Sequence, residues 1–314
     1  MRPTALYSPA PVRGWLPWGA LTPFLAILLV ALPAIAAWKI EHAFGLVNEK
    51  GDPQGFAGLC ALLFFDFSLT LAVLLAWVRL VERRSLVTIG LVGERPRRTF
   101  LAGLGVGLAT STLVVAAIAL AGGYAVGELF PAWTAPSALL RIAVLLAGFA
   151  LQSSVEEILF RGWLMSAMAR KLGVVLAVVL TSTVFMLLHY SPHQAWDLML
   201  GTFLFSLFAC AWALRSGSIW GVMGWHAGWN WLIAVGFELP ITGIDVHLPA
   251  LLVQLAPHGP DVLTGGAQGP EGSALCSAFF AVASLLLFGL RARDGRRLAA
   301  AAGPPPAPEA ETPA

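Results

Sequence analysis

Long apolar stretches separated by short polar loops make up most of this chain. Eight of them approach or exceed the roughly 20 residues that a helix needs to cross a bilayer. They cover residues 14–38, 56–78, 100–122, 138–170, 174–190, 198–214, 219–239 and 273–290. The pattern predicts an all-α fold, a polytopic membrane helical bundle of about eight transmembrane helices. The first stretch also resembles a signal peptide, with Ala34-Ile35-Ala36 as a cleavage site, but it is longer than a typical signal-peptide core, so we predict a retained span.

The distribution of basic residues predicts how the bundle is oriented. The loop 79–98 holds six arginines against two glutamates, and further basic residues follow the fourth, sixth and eighth spans. The alternate loops at 123–137, 191–197 and 240–272 contain no Lys or Arg. The first outer loop, at 39–54, departs from the pattern because it contains Lys39 and Lys50. By the positive-inside rule, the basic loops and both termini are cytoplasmic.

Composition narrows the class of protein further. Hydrophobic residues make up 58% of the 314 positions and charged residues 11%, and the mean hydropathy is +0.79. Soluble domains carry about 25% charged residues, so a soluble protein is excluded. The net charge of +2 is spread over short clusters, which argues against a nucleic-acid partner. The abundance of Arg, Ala and Gly suggests a GC-rich bacterial genome and favours a cell inner membrane.

The C-terminal tail and the cysteines receive structural interpretations. Residues 298–314 are Ala-, Pro- and Glu-rich and have too little apolar surface to fold, so we predict a disordered tail. The cysteines, Cys60, Cys210 and Cys276, are far apart without metal-ligand or redox spacing, and we interpret them as small hydrophobic residues.

An acidic pair interrupts the fourth span. Glu156 and Glu157 are followed by Arg161, and ionisable groups inside a membrane indicate a functional site by default. Glu157 and Arg161 are four residues apart with the acid first, the favourable order for an ion pair on one helix face. Glu156 is rotated by about 100° from Glu157. We therefore predict a supporting ion pair at Glu157–Arg161 and a separate role, as a general base, for Glu156.

Three further polar residues occur in the later spans. His189 lies near the end of the fifth span, and His226 and Asn230 lie four apart in the seventh. Each alone is more often a packing residue. Counting about 1.5 Å of rise per residue from the basic loops puts Glu156, His189 and His226 at similar depths, between the midplane and the outer half of the membrane.

Together these residues resemble a known family. The patterns Glu156-Glu157-x-x-x-Arg161, Phe185-x-x-x-His189 and His226-x-x-x-Asn230 are similar to the three ordered motifs of the CAAX-protease and bacteriocin-processing (CPBP) family of intramembrane endopeptidases. The resemblance implies a protease domain over residues 1–297, with the motif-bearing core at 138–239. It implies that Glu156 and His189 activate water, that His226 and Asn230 stabilise the oxyanion, and that Glu157 and Arg161 support them.

The metal requirement stays open at this point. A glutamate with two histidines is a plausible zinc set, here Glu156, His189 and His226. None of the six histidines is followed by Glu, so the His-Glu-x-x-His signature of zinc proteases is absent. We favour a metal-free glutamate mechanism with no cofactor, and keep a zinc-dependent version as the alternative.

The other polar and aromatic residues of the spans receive structural interpretations. Asp66 is expected to pair with a neighbouring helix, and His193, beyond Pro192, is not expected to be catalytic. His42, His247 and His258 are expected to be solvated. The tryptophans of the seventh span are expected to pack, although Trp225 and Trp229 flank the motif and are candidates for the cavity wall.

Rival functions remain, and the substrate is unknown. A proton-coupled membrane transporter would also place Glu and His at mid-depth, and a non-catalytic immunity or scaffold protein could share the fold. The motifs favour a protease acting on a membrane-associated protein within the lipid bilayer. In a bacterium, the expected substrate is a C-terminal sorting or anchoring segment of an exported protein. The sequence gives no indication of oligomeric state.

Overall fold

A computed structural model describes residues 6–190 and 196–302 of the chain. The described part is mostly helical, and it contains eight main helical segments in the order that the apolar pattern predicts. They are α1 Thr22–Ala43, α2 Gly55–Val81, α3 Pro96–Leu120, α4 Pro136–Leu172, α5 Val174–Leu188, α6 Trp196–Ser216, α7 Trp220–Trp231 with a π-helical extension Leu232–Gly236, and α8 Ala274–Ala302. Short helical turns occupy Leu86–Ile89, Pro131–Thr134, Asp261–Thr264, Gly266–Gln268 and Pro270–Gly272.

The chain is therefore a multi-pass membrane helical bundle. Within the described residues, six helices are long and apolar enough to cross a membrane, and α5 is a shorter apolar helix. The helix α7 is short because π-helical geometry and then Pro240 end it early. The helix α8 continues to Ala302, into the first residues of the predicted disordered tail, and residues 303–314 lie outside the described part.

The predicted bounds of the first span are wrong. Residues 14–21 precede the helix, because the Gly14 and Trp15 amides donate to the carbonyls of Glu82 and Val81. At the other end, α1 continues past Trp38 to Ala43 and buries Glu41, which lies beyond the predicted end of the span. Uncharged residues can thus lie outside the helix, and a charged residue can lie inside it.

A small β-sheet was not predicted. Strands β1 (Tyr124–Leu129) and β2 (Val253–Pro257) pair antiparallel, with Tyr124 opposite Pro257. They join the loop before α4 to the long loop before α8. Because these loops are more than 100 residues apart along the chain, local patterning does not reveal their pairing.

Close helix packing positions the functional side chains. Gly103 and Gly107 of α3 face the backbone of α7, where an added Cβ would lie 2.0 Å from the Gly221 carbonyl oxygen and 2.2 Å from that of Trp225. Glycine at these positions allows the two backbones to approach closely. The third span therefore packs closely against α7, the helix that carries His226 and Asn230.

The loops gather at two ends of the bundle. At one end, the Tyr7 hydroxyl donates to the Arg161 carbonyl, and the Arg170 guanidinium donates to the carbonyls of Ser8 and Ala10. At the other, His258 donates its amide to the Gly123 carbonyl. These ends correspond to the predicted cytoplasmic and outer faces, and which end faces the cytoplasm stays a prediction.

Candidate active site

Three helices bring the predicted catalytic residues to one cavity. Glu156 comes from α4, His189 from the end of α5, and His226 and Asn230 from α7. All four line a cavity of about 40 Å³, enough for one or two water molecules. The similar depths estimated from helical rise are thereby confirmed.

Glu157 lies beneath this cavity and is fully buried. Its Oε1 accepts a hydrogen bond from Arg161 Nη1 at 2.8 Å, which forms the ion pair expected from the four-residue spacing. The same oxygen lies 2.9 Å from His226 Nδ1. The Arg161 guanidinium also lies over the ring of Phe185, 4.5 Å from its centroid. Glu157 thus links α4 to α7 and the arginine links α4 to α5.

The bond to Glu157 fixes which nitrogen of His226 carries a proton. An ionised carboxylate only accepts hydrogen bonds, so Nδ1 must be the protonated nitrogen. The other nitrogen, Nε2, lies 3.9 Å from Glu156 Oε2. His226 therefore stands between the two adjacent glutamates, with one on each side of its ring.

Glu156 has a different environment from its neighbour. Its Oε1 accepts a hydrogen bond of 2.7 Å from the side-chain amide of Gln152, one helical turn earlier, and its side chain is 13% exposed. The partner of this carboxylate is therefore a neutral amide. No ion pair with Arg or Lys involves Glu156 within the described chain.

Gln152 also connects Glu156 to Asn230. The Asn230 amide donates to Gln152 Oε1 at 3.1 Å, and the Ser153 hydroxyl donates to the same oxygen. One amide therefore sets the positions of two cavity side chains on different helices. The sequence analysis missed this residue, although its position four before Glu156, on the same helix face, was a usable signal.

His189 is held by its own helix. Its Nδ1 lies 2.8 Å from the Phe185 carbonyl oxygen, and its ring stacks on that of Phe185 at 4.2 Å between centroids. A carbonyl oxygen only accepts, so Nδ1 donates and the neutral ring keeps its lone pair on Nε2. Phe185, four residues earlier, thus fixes both the tautomer and the ring plane.

A second residue that the sequence analysis missed lies at the cavity wall. Glu271 belongs to the loop before α8, and its carboxylate accepts hydrogen bonds from Trp229 Nε1 and Thr242 Oγ1, both at 2.9 Å. It belongs to the loop 240–272, in which the sequence pointed to no functional residue. Its distance along the chain from the motifs left no local signal.

Other candidates do not line the cavity. Trp225 and Trp229 are fully buried in helix packing, where their indoles donate to Thr110 and Glu271, so the cavity-wall alternative is wrong. Asp66 lies against Glu41 of α1, in keeping with a structural role. His247 and His258 are exposed, as expected. His193 lies outside the described residues.

Glu156, His189 and His226 are also potential ligands of a metal ion. Among the described residues, no group of three or more His, Cys, Asp or Glu side chains is arranged to hold one. The Nδ1 atoms of His189 and His226 are already engaged, with Phe185 and Glu157. Only the Nε2 atoms are free to act in the cavity.

Comparison with known proteins identifies the segment that carries the site. Residues 136–232 match the family model described as Rce1-like, type II CAAX prenyl endopeptidase. The matched segment starts at α4, ends in α7, and contains all seven residues named in the three motifs. The resemblance seen in the sequence is confirmed over this segment. Searches among curated proteins and solved structures give no match.

Proposed function

We propose that this chain, whose residues 136–232 match the type II CAAX prenyl endopeptidase family, is a metal-independent intramembrane endopeptidase. The observation that carries the proposal is the convergence of Glu156, His189, His226 and Asn230 on one cavity inside a helical bundle. Two bases and two potential hydrogen-bond donors are the groups that hydrolysis of a peptide bond requires.

Glu156 and His189 are the proposed bases. Gln152 holds Glu156 through one oxygen only, which leaves Oε2 directed toward His226 and able to accept a proton. A water molecule in the cavity donates one hydrogen bond to Glu156 and a second to the lone pair on His189 Nε2, and these two bonds orient it. Water attacks the scissile carbonyl carbon and gives a proton to Glu156. The same proton passes to the departing amide nitrogen as the C–N bond breaks, so the enzyme returns to its starting state.

His226 and Asn230 are the proposed oxyanion donors. Asn230 uses one amide hydrogen on Gln152 and keeps the second. His226 can donate from Nε2 only when both ring nitrogens are protonated, because Nδ1–H is bound to Glu157. The imidazolium balances the charges of Glu156, Glu157 and Arg161, which sum to one negative charge without it. Fixed donors of this kind stabilise an oxyanion strongly in a water-poor site.

The proposed substrate is a membrane-associated protein with a C-terminal sorting or anchoring segment. The estimated depth of the site, at or above the midplane, and the loop residue Glu271 at its wall support access from the outer side of a cell inner membrane. The bilayer delivers such a segment to the cavity, so lipid is a partner in substrate capture.

A comparison of membrane-protein termini tests the proposal. Cells producing the wild-type chain, Glu156→Gln, His189→Ala or the control Glu128→Gln are compared by terminal proteomics. Glu128 lies in β1, outside the site. We expect new C-termini with the wild type and the control, and none with the other two. Processing that persists in Glu156→Gln, at equal protein level, would exclude this carboxylate as the base.

Metal independence has its own test. The purified wild-type chain is treated exhaustively with a chelator, and its metal content and activity are measured. We expect unchanged activity. One equivalent of zinc, together with activity lost on chelation and restored by zinc, would favour the zinc alternative with Glu156, His189 and His226 as ligands.

A further inference from the structure

A cleft lined by arginines lies at the predicted cytoplasmic end, apart from the catalytic cavity. It has a volume of about 560 Å³ and lies between the N-terminal segment and the loop that follows α2. Its charged lining residues are all arginines: Arg13, Arg79, Arg83 and Arg84. No carboxylate lines it, so the cleft is electropositive.

Backbone contacts build this cleft. The Gly14 and Trp15 amides donate to the Glu82 and Val81 carbonyls, at 2.9 and 3.1 Å, and fix the N-terminal segment across the loop. A Cβ on Gly14 would lie 2.1 Å from the Val81 carbonyl oxygen, so the crossing needs glycine. The two walls are therefore held together by the fold.

The carboxylate of Glu82, in the loop that forms one wall of the cleft, is already paired with Arg84. Glu82 is buried and accepts hydrogen bonds from Arg84 and from the indoles of Trp77 and Trp163. Arg84 is anchored in the wall by further bonds to Thr88 and Ser166. Arg13, Arg79 and Arg83 are exposed, and none of them takes part in an ion pair within the described part of the chain.

The backbone of Arg83 is strained. Its φ is +49°, in the left-handed region that side-chain-bearing residues seldom occupy. Such strain persists only where surrounding structure imposes it, and it often marks functional positions. Here it places Arg83 beside a cleft that is also lined by Arg79, at the end of α2, and by Arg84 of the same loop.

The cleft also borders the lipid-facing surface. Leu80, next to Arg79 at the end of α2, is 72% exposed, and Trp18 is 72% exposed on the N-terminal segment. Exposed tryptophans are typical of the membrane–water interface. An anion here would thus lie at headgroup level, with apolar surface beside it for acyl chains.

We propose that this cleft binds the phosphate group of an anionic phospholipid. Arginine forms paired hydrogen bonds with phosphate oxygens, and basic pockets beside cytoplasmic helix ends suit anionic headgroups. A cleft of this size accommodates a phosphoglycerol headgroup. The site is distinct from the catalytic cavity and independent of the proposed peptidase activity.

Lipid titration of the purified full chain tests this site. Native mass spectrometry measures binding of phosphatidylglycerol, phosphatidylcholine and, in a separate arm, inorganic phosphate. We expect the wild type to prefer phosphatidylglycerol. The triple variant Arg13→Gln, Arg79→Gln, Arg83→Gln should show this preference reduced by about tenfold or more, because each replaced arginine removes one favourable contact with the anionic headgroup. The corresponding Arg→Lys variant keeps the three charges but loses the paired hydrogen bonds, so it should retain only part of that preference.

The matched control removes the same charge elsewhere. Arg95, Arg97 and Arg98 are exposed at the same end but do not line the cleft. The triple Gln variant at these positions should bind phosphatidylglycerol as the wild type does. Equal losses in both Gln variants would mean general surface charge and overturn the proposal. Binding of inorganic phosphate without preference between the two lipids would overturn the lipid assignment. Thermal unfolding of each variant checks that the fold is intact.

Discussion

At the scale of single residues, the proposed site depends on side chains that hold other side chains. Gln152 donates to Glu156 and accepts from Asn230, while Glu157 holds His226 and Arg161. Positioning of this kind controls catalysis because displacement of a reacting group by about 1 Å can cost about 100-fold in rate. Both are buried, but Gln152 is neutral and Glu157 is charged, so their substitution should have different consequences.

Replacement of Gln152 should impair catalysis without unfolding the chain. Gln152→Leu removes the bond to Glu156 and the acceptor for Asn230, and we expect kcat to fall about 10- to 100-fold. The control is Ser154→Ala on the same helix, because Ser154 bonds only to the Ala150 carbonyl. Peptidase assays and thermal unfolding are measured for both. Wild-type kcat in Gln152→Leu would contradict the positioning role.

Replacement of Glu157 should instead destabilise the fold. Glu157→Gln leaves the buried Arg161 without its counter-charge, and loss of one partner of a buried ion pair costs about 3–5 kcal/mol. The double variant Glu157→Gln, Arg161→Met should recover much of that stability. It should remain inactive, because His226 no longer has its carboxylate. Thermal unfolding measures the effect on stability, and activity assays measure the effect on catalysis. Recovered activity in the double variant would refute a catalytic contribution of Glu157.

At the scale of elements, the approach of α3 to α7 sets the position of the oxyanion donors. The glycines on α3 bring its backbone against that of α7, which carries His226 and Asn230. Any side chain between the helices would displace α7 relative to α4 and α5. The chemistry of the cavity therefore depends on residues of α3 that do not line it.

A pair of glycine substitutions tests this dependence. Gly107→Ala should destabilise the bundle by about 1–3 kcal/mol, because the new methyl group overlaps the Trp225 carbonyl. Gly105→Ala on the same helix is the control, since a Cβ there meets nothing within 4 Å. We expect a lower unfolding temperature and reduced activity only for Gly107→Ala. Equal behaviour of the two variants would contradict the packing role.

At the scale of the whole molecule, the loops are divided between two faces. The basic loops and the N-terminal segment lie at one end, and the β-sheet and the loop carrying Glu271 lie at the other. The positive-inside rule predicts that the basic end faces the cytoplasm. The orientation decides from which side a substrate segment meets the catalytic cavity.

Cysteine labelling checks that orientation. In a chain whose three native cysteines are replaced by alanine, Asp245→Cys and Arg97→Cys introduce single thiols at the two ends. Both positions are exposed. In intact cells, a membrane-impermeant maleimide should label the cysteine at position 245 and reach the one at position 97 only after permeabilisation. The opposite pattern would place both termini outside.

The sequence by itself determined the class of fold and the candidate residues. Apolar runs of membrane-spanning length require helices, because a lipid-embedded backbone must satisfy its own hydrogen bonds. Helical spacing alone predicted the Glu157–Arg161 pair and the similar depths of Glu156, His189 and His226. An ionisable side chain is energetically costly to bury in lipid, so these residues stand out in an apolar span and were recognisable without a structure.

Only the tertiary structure decided how these groups are connected. The bond between Glu157 and His226 spans 69 residues, and the one between Trp229 and Glu271 joins a helix to a distant loop. The β1–β2 pairing and the crossing of Gly14 over Glu82 likewise depend on chain segments that meet only after the helices pack. Local periodicity describes the face of each helix. It does not specify which faces meet, because that depends on side-chain packing across the whole bundle.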